Sequence, residues 1–255
     1  MAKQGRAASA TRREISRREE RARRILDAAA TLILRWGYNK TTLDDIAREA
    51  GVAKGTMYLH WKTREDLFSA LMKRERVEMA EEIMRGLAAD PERETLRSMF
   101  KHVALATMKR PLLKALIVRD MDLLGKYALS RQNNADHVAR QKSFEGYLAL
   151  LRQQGLVRTD ISLQAQVYML GAIFIGFFVM EPFMPDESAF SDEEIADLMA
   201  ETIHRALETG DAVPSNTLQT TSQAFTQYMK HVLTSIQEDF QRELDSEPSK
   251  DEKPK

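Results

Sequence analysis

Residues 41–68, TTLDDIAREAGVAKGTMYLHWKTREDLF, constrain the fold more tightly than any other part of the chain. Thr42 is a good N-cap residue before Leu43, Ile46 and Ala47, whose spacing of three and four puts one apolar stripe on a short first helix. Gly51 ends that helix, because only glycine adopts the left-handed C-terminal conformation cheaply. Ala53, Met57 and Trp61 then recur at every fourth position and share one face of a second helix of about two turns. That face is the core side. Gly55 and Leu59 fall nearly opposite Met57, Thr56 and Tyr58 lie on the flanks, and Lys54 sits at the helix start. Two short helices joined by a glycine turn, the second turning small, polar and cationic residues outward, make a helix-turn-helix. Its outward face is the kind of surface that a DNA major groove accepts.

The residue types on that face suit the task. Gly55 lets the backbone approach closely. Lys54 can bond a guanine edge or a phosphate, Thr56 offers a hydroxyl to phosphate and a methyl to thymine, and Tyr58 can reach the backbone with its hydroxyl. His60 is read as a phosphate contact. Thr63 is a second N-cap with Asp66 three residues on, and it opens a longer helix with Arg64 in its first turn. A cation there opposes the helix dipole, which makes sense if a phosphate lies between Arg64 and the helix end. With Thr42 and Leu59, the candidate DNA-contacting set is Thr42, Lys54, Gly55, Thr56, Tyr58, Leu59, His60 and Arg64.

Thr41, Thr42, Ile46, Ala47, Ala50, Gly51, Val52, Gly55, Thr56, Tyr58, His60, Trp61, Arg64 and Leu67 together resemble the N-terminal signature of the TetR family of bacterial transcriptional regulators, with unbroken spacing. Trp61 stands where that signature usually has Phe, and Arg64 where it has Lys. The resemblance is specific over about residues 18–70 and architectural beyond. It implies an all-α protein with an N-terminal three-helix DNA-binding domain and a C-terminal helical bundle for ligand binding and dimerisation. It also implies a repressor that a small, largely apolar effector releases from a palindromic operator.

Charge is divided along the chain. Residues 1–64 hold 15 Lys/Arg against 7 Asp/Glu, a net +8, and the remainder holds 23 against 31, a net −8. A basic end on a neutral protein is the electrostatic footprint of a polyanion partner. Cysteine is absent, which excludes a disulfide framework and a thiolate metal site. Residues 1–24 are charged, with no apolar core of a secretory signal, so a cytoplasmic location is expected.

Helical periodicity organises the rest. Residues 1–16 form a basic arm expected to be disordered, and Ile25, Ala28, Ala29, Leu32, Ile33 and Trp36 make a first helix over about 17–36, so that the DNA-binding domain spans 17–63. The effector-binding and dimerisation domain spans 64–245, with helices expected over 64–88, 92–108, 111–125, about 128–154, 162–181, 192–209 and 217–244. Residues 246–255 are too polar to fold. The fourteen uncharged residues Val167 to Met180 are fewer than the roughly 20 a membrane span needs. With the 192–209 helix they read as a dimer surface, as the resemblance also implies. The stripe on 217–244 must be covered either by its own domain or by clasping the other subunit, and the clasp is the expectation.

Met and aromatic residues mark the second domain, and Phe100, Val103, Ile117, Met121, Phe144, Tyr147, Tyr168 and Phe174 are the candidate lining of an apolar effector pocket. For any one of them an ordinary bundle core is the better explanation; only the family resemblance tips the set as a whole towards a pocket. The five histidines are scattered, with no metal-ligand spacing, no phosphate-cradling glycine loop and no nucleophile elbow. Neither an enzyme, a metal nor another cofactor is expected. A ligand-independent DNA-organising protein of the same fold and a transcriptional activator remain the competing readings.

Overall fold

The computed structural model describes residues 2–90, 95–129, 135–180, 183–185, 190–210 and 215–245. Eleven α-helices are present among them: α1 Ala2–Trp36, α2 Leu43–Glu49, α3 Lys54–Tyr58, α4 Arg64–Ala89, α5 Leu96–Met108, α6 Pro111–Ile117, α7 Met121–Leu124, α8 Ala135–Gln153, α9 Leu163–Met180, α10 Asp192–Leu207 and α11 Ser215–Asp245. No strand occurs among the described residues. The chain divides into two compact units, one formed by 1–74, 122–125 and 237–255, the other by 75–121 and 126–236.

In the first unit, the buried side of α1 carries Ala22, Ile25, Leu26, Ala29, Leu32 and Ile33. Gly37 stops the helix at φ 80, which a side chain would resist, and a Cβ there would lie 3.1 Å from the Asp122 carbonyl oxygen. Tyr38–Lys40 form a 3-10 turn, and buried Thr41 donates its hydroxyl to the Gly37 carbonyl at 2.9 Å. Thr42 then caps α2 in a reciprocal box: the Asp45 amide donates to its hydroxyl at 3.2 Å, and the Thr42 amide donates to the Asp45 carboxylate at 3.3 Å. Thr63 and Asp66 build a second box at the start of α4, at 3.0 and 3.2 Å. Ile46, Met57, Trp61, Leu67, Phe68 and Leu71 complete the core with α1. Leu124, far along the chain, is fully buried in this unit as well.

The second unit is a bundle around Leu96, Met99, Leu148, Leu170, Phe178, Met199 and Ile203. Thr95 caps α5, whose first amides also receive the Glu208 carboxylate: the Leu96 amide donates to it at 2.6 Å. Ser191 and Glu194 form a capping box on α10.

Several expected boundaries change. α1 begins at Ala2 rather than near 17, so the basic arm continues the helix; alanine, arginine, lysine, glutamine and glutamate are strong helix formers and dominate it. The side chains of 1–16, and the tail 246–255, lie outside the described residues. The helix expected over 111–125 is broken into α6 and α7, with Arg119 at φ 54 between them. Within its own chain α9 is covered on one side only: Leu170 and Phe178 reach the core, but the helix is uncharged over all of Leu163–Met180, long and apolar enough to cross a membrane by length and composition, and only 17% of that stretch is buried. The covering of α11 also differs from the clasp. Phe225 and Met229 are buried in the core of the second unit, and Tyr228 stacks on Tyr147 at 4.9 Å, so this chain covers much of the stripe itself.

Candidate nucleic-acid interface

The recognition surface follows from how α3 is held. Met57 and Trp61 turn into the core, with the Met57 and Thr56 amides closing on the Ala53 carbonyl at 3.2 and 2.9 Å. The opposite side is therefore left to solvent. Lys54, Gly55, Tyr58 and Leu59 are exposed, Leu59 to 64%, and Thr56 is partly so. An added Cβ at Gly55 would meet nothing within 4 Å, so the chain itself leaves open the space that a close-approaching duplex requires. An exposed leucine between polar neighbours fits an apolar contact to a thymine methyl.

Lys54 is not free in this state. Its Nζ donates to the Asp44 carboxylate at 2.8 Å, and that carboxylate raises its affinity for a proton, so the side chain is a firm cation. Both groups are more than half exposed, and water screens such a pair so that it contributes little. A guanine edge or phosphate can displace it at little cost. Thr42 lies at the surface, but its hydroxyl is engaged with Asp45 at 2.6 Å on top of its capping role.

Two members of the candidate set differ from expectation. Arg64 points into its own domain: one guanidinium nitrogen donates to the carbonyls of Tyr38, Asn39 and Thr41 at 3.0, 3.2 and 3.4 Å, and the group lies 4.2 Å over the Tyr38 ring. The carbonyls gathered at the 3-10 turn hold the guanidinium inside the domain, in place of the phosphate expected at the helix end. Arg64→Ala should therefore cost about 1–3 kcal/mol of stability. It should leave the salt dependence of DNA binding unaltered, whereas loss of a phosphate contact would flatten the salt slope by about one unit. Denaturant unfolding and a salt titration separate the two outcomes.

His60 is half-buried, with its ring 5.4 Å from Trp61. Burial, followed by the charges of Arg18 and Arg21, pushes its pKa down to about 4, so the ring is neutral at pH 7 and can offer a phosphate an N–H but no charge. Arg18 and Arg21, absent from the candidate set, are thus felt electrostatically at His60, two residues past the end of α3. Their spacing of three on α1 is the signal that places them on one side of that helix.

In the second unit the structure brings together most of the proposed effector lining. The Phe100 ring packs edge to face on Phe144 and Phe174, at 6.2 and 6.0 Å, and Phe174 continues to Phe178 at 5.0 Å. Val103 and Ile117 pack on the same apolar cluster, and buried Tyr147 belongs to it through Phe225 and Tyr228. Tyr168 and Met121 do not. Met121 is 42% exposed at the start of α7, and Tyr168 is 79% exposed because α9 turns Gln164, Tyr168, Ala172, Ile175 and Val179 outward at helical spacing. No group of three or more His, Asp or Glu side chains among the described residues is placed to hold a metal.

Comparison with known proteins agrees with this geometry. Residues 25–71 match the family model described as bacterial regulatory proteins, tetR family. The chain is similar to the HTH-type transcriptional regulator AcrR of Shigella flexneri, 32% identical over 120 residues, which is 45% of this chain and 55% of that protein. It is also similar to the fatty acid metabolism regulator protein of Bacillus subtilis strain 168, 35% identical over 133 residues, 50% of this chain and 62% of that one. These alignments thus span less than two thirds of either relative. Among solved structures, NalD, the secondary repressor of the MexAB-OprM multidrug efflux pump in Pseudomonas aeruginosa, superposes with a TM-score of 0.53 at 20% identity. That superposition covers 76% of this chain and 99% of NalD, and it shows a shared fold.

Proposed function

We propose that the chain, whose residues 25–71 match the tetR family of bacterial regulatory proteins, is a sequence-specific DNA-binding transcriptional regulator that represses by occupying its operator and is released by a small apolar effector. The observation that carries this reading is α3 itself: Met57 and Trp61 are locked inward while Lys54, Gly55, Tyr58 and Leu59 face solvent with room above Gly55. Occlusion of a promoter needs only tight binding, which makes repression the simplest consequence. The two relatives are named regulators, one of them of fatty acid metabolism, and both names support the same class.

The protein is proposed to act as a homodimer. The outward side of α9, with Tyr168, Ile175 and Val179, and exposed Leu198 on α10 form an apolar surface of the kind that a second copy buries. Two-fold pairing would set two α3 helices on successive turns of one duplex side, about 34 Å apart, and demands a palindromic operator. The effector is proposed to enter among Phe100, Phe144 and Phe174, whose rings must part to admit it, and to favour a state in which DNA is bound less well. No catalytic step is assigned to the chain.

Sequencing of genomic fragments retained by the purified protein, with and without medium-chain acyl compounds and hydrophobic antibiotics, tests the proposal. Enrichment of one palindrome that such a compound releases is the expected result. Uniform retention of all fragments, with no response to any compound, would favour the DNA-organising alternative.

A further inference from the structure

The densest run of cations in the first unit lies on α1, where Arg17, Arg18, Arg21, Arg23 and Arg24 fall within about two turns. Arg18 and Arg21 act electrostatically on His60, two residues past the end of α3. Arg18 is also engaged from another direction. Its Nη2 donates to the Leu244 carbonyl oxygen, 3.4 Å away in the last turn of α11.

That end of α11 has the character of a weak phosphate substitute. The last four carbonyls of a helix lack intrahelical donors and carry the negative end of its dipole. Residues 237–245 add Glu238, Asp239, Glu243 and Asp245 against a single cation, Arg242. Arg242 is itself paired with Asp239 three residues back. The contact on Arg18 is long, exposed and made to a neutral carbonyl, whereas a phosphate can take the guanidinium through charge-assisted, bidentate bonds. A duplex therefore has the means to displace α11, and whatever the displaced contact contributed is subtracted from DNA affinity.

We propose that the C-terminal end of α11 and the DNA backbone compete for Arg18, so that α11 is an intramolecular brake on DNA binding. The proposal rests on the DNA-binding reading above and adds to it a regulatory role for α11. Since phosphates carry no sequence, the brake acts alike on specific and non-specific DNA. A segment that binds, covers or removes the last turn of α11 would thereby raise operator occupancy.

The test uses a 30-base-pair duplex of mixed sequence, titrated in a salt series with the full chain and with a chain ending at Gln241. Shortening removes four Lys/Arg and five Asp/Glu, so the net charge changes by one and bulk electrostatics is nearly held fixed. The shortened chain is expected to bind about 3- to 10-fold more tightly at low salt, with a salt slope steeper by about one unit as Arg18 gains a phosphate. In an Arg18→Ala background the same shortening should give no gain. Glu243→Gln with Asp245→Asn in the full chain should give a smaller gain of the same sign, and it serves if circular dichroism shows the shortened chain to be unfolded. A gain that persists undiminished in Arg18→Ala, or equal or weaker binding by the altered chains, overturns the brake while leaving DNA binding standing. Failure of every form to bind the duplex overturns both.

Discussion

Phe68→Ala should destabilise the DNA-binding unit by about 3–5 kcal/mol, the range found when a buried ring is truncated in a core that cannot collapse around the gap. Phe68 is fully buried near the start of α4, and its ring lies 5.0 Å from Tyr38, the residue that fixes the turn into α2. The loss would therefore loosen both the scaffold of α3 and the turn that aims it. A domain of this size holds about 5–15 kcal/mol in all, so a large fraction of its stability is at stake. Denaturant unfolding followed by tryptophan fluorescence reports the change directly, since Trp61 sits in the same core. A cost below about 1 kcal/mol would show that the side chain is not the keystone its burial indicates.

Lys54→Ala and Tyr58→Ala should each weaken operator binding by about 1–3 kcal/mol, and the double substitution by about 100-fold or more, with unfolding and dimerisation unchanged. Both side chains stand clear of the core, so removing them leaves Met57 and Trp61 seated. The two losses should differ in kind. Lys54, a cation held only by the exposed Asp44 pair, should take with it part of the salt dependence, while Tyr58 should change affinity at constant salt slope. Binding of the operator by the double variant at wild-type strength would remove α3 from the interface.

The regular part of this fold was legible because local chemistry and tertiary role coincide. Thr42, Thr63 and Ser191 cap helices by side-chain bonds that their position announces, and Gly37, Gly51, Gly155 and Gly210 all stand at positive φ where helices or turns end. The inward face of α3 could be read from the spacing of Met57 and Trp61 alone. What escaped was decided by distant partners. Arg64 faces three carbonyls because the folded Tyr38–Lys40 turn and Thr41 after it gather them on one side, a fact of the folded turn and not of the residues beside Arg64. No glycine or proline marks the break before α7; Arg119 takes the left-handed conformation there without a composition signal. Tyr168 looks like a pocket aromatic in composition, and only its angular position on α9 places it outside.

Leu124 and its neighbours carry a lesson for anyone who would transplant this reading head. A fragment cut within α4 after Arg74 retains all of α1, α2 and α3, yet it omits the four-residue segment Asp122–Gly125, whose backbone closes over Gly37 and whose Leu124 is wholly enclosed. Such a piece would lose both that enclosed side chain and the cover over the glycine that ends α1. A chimera that borrows this operator specificity must import the remote tetrapeptide too, so the unit of inheritance is larger than the stretch of sequence that names it.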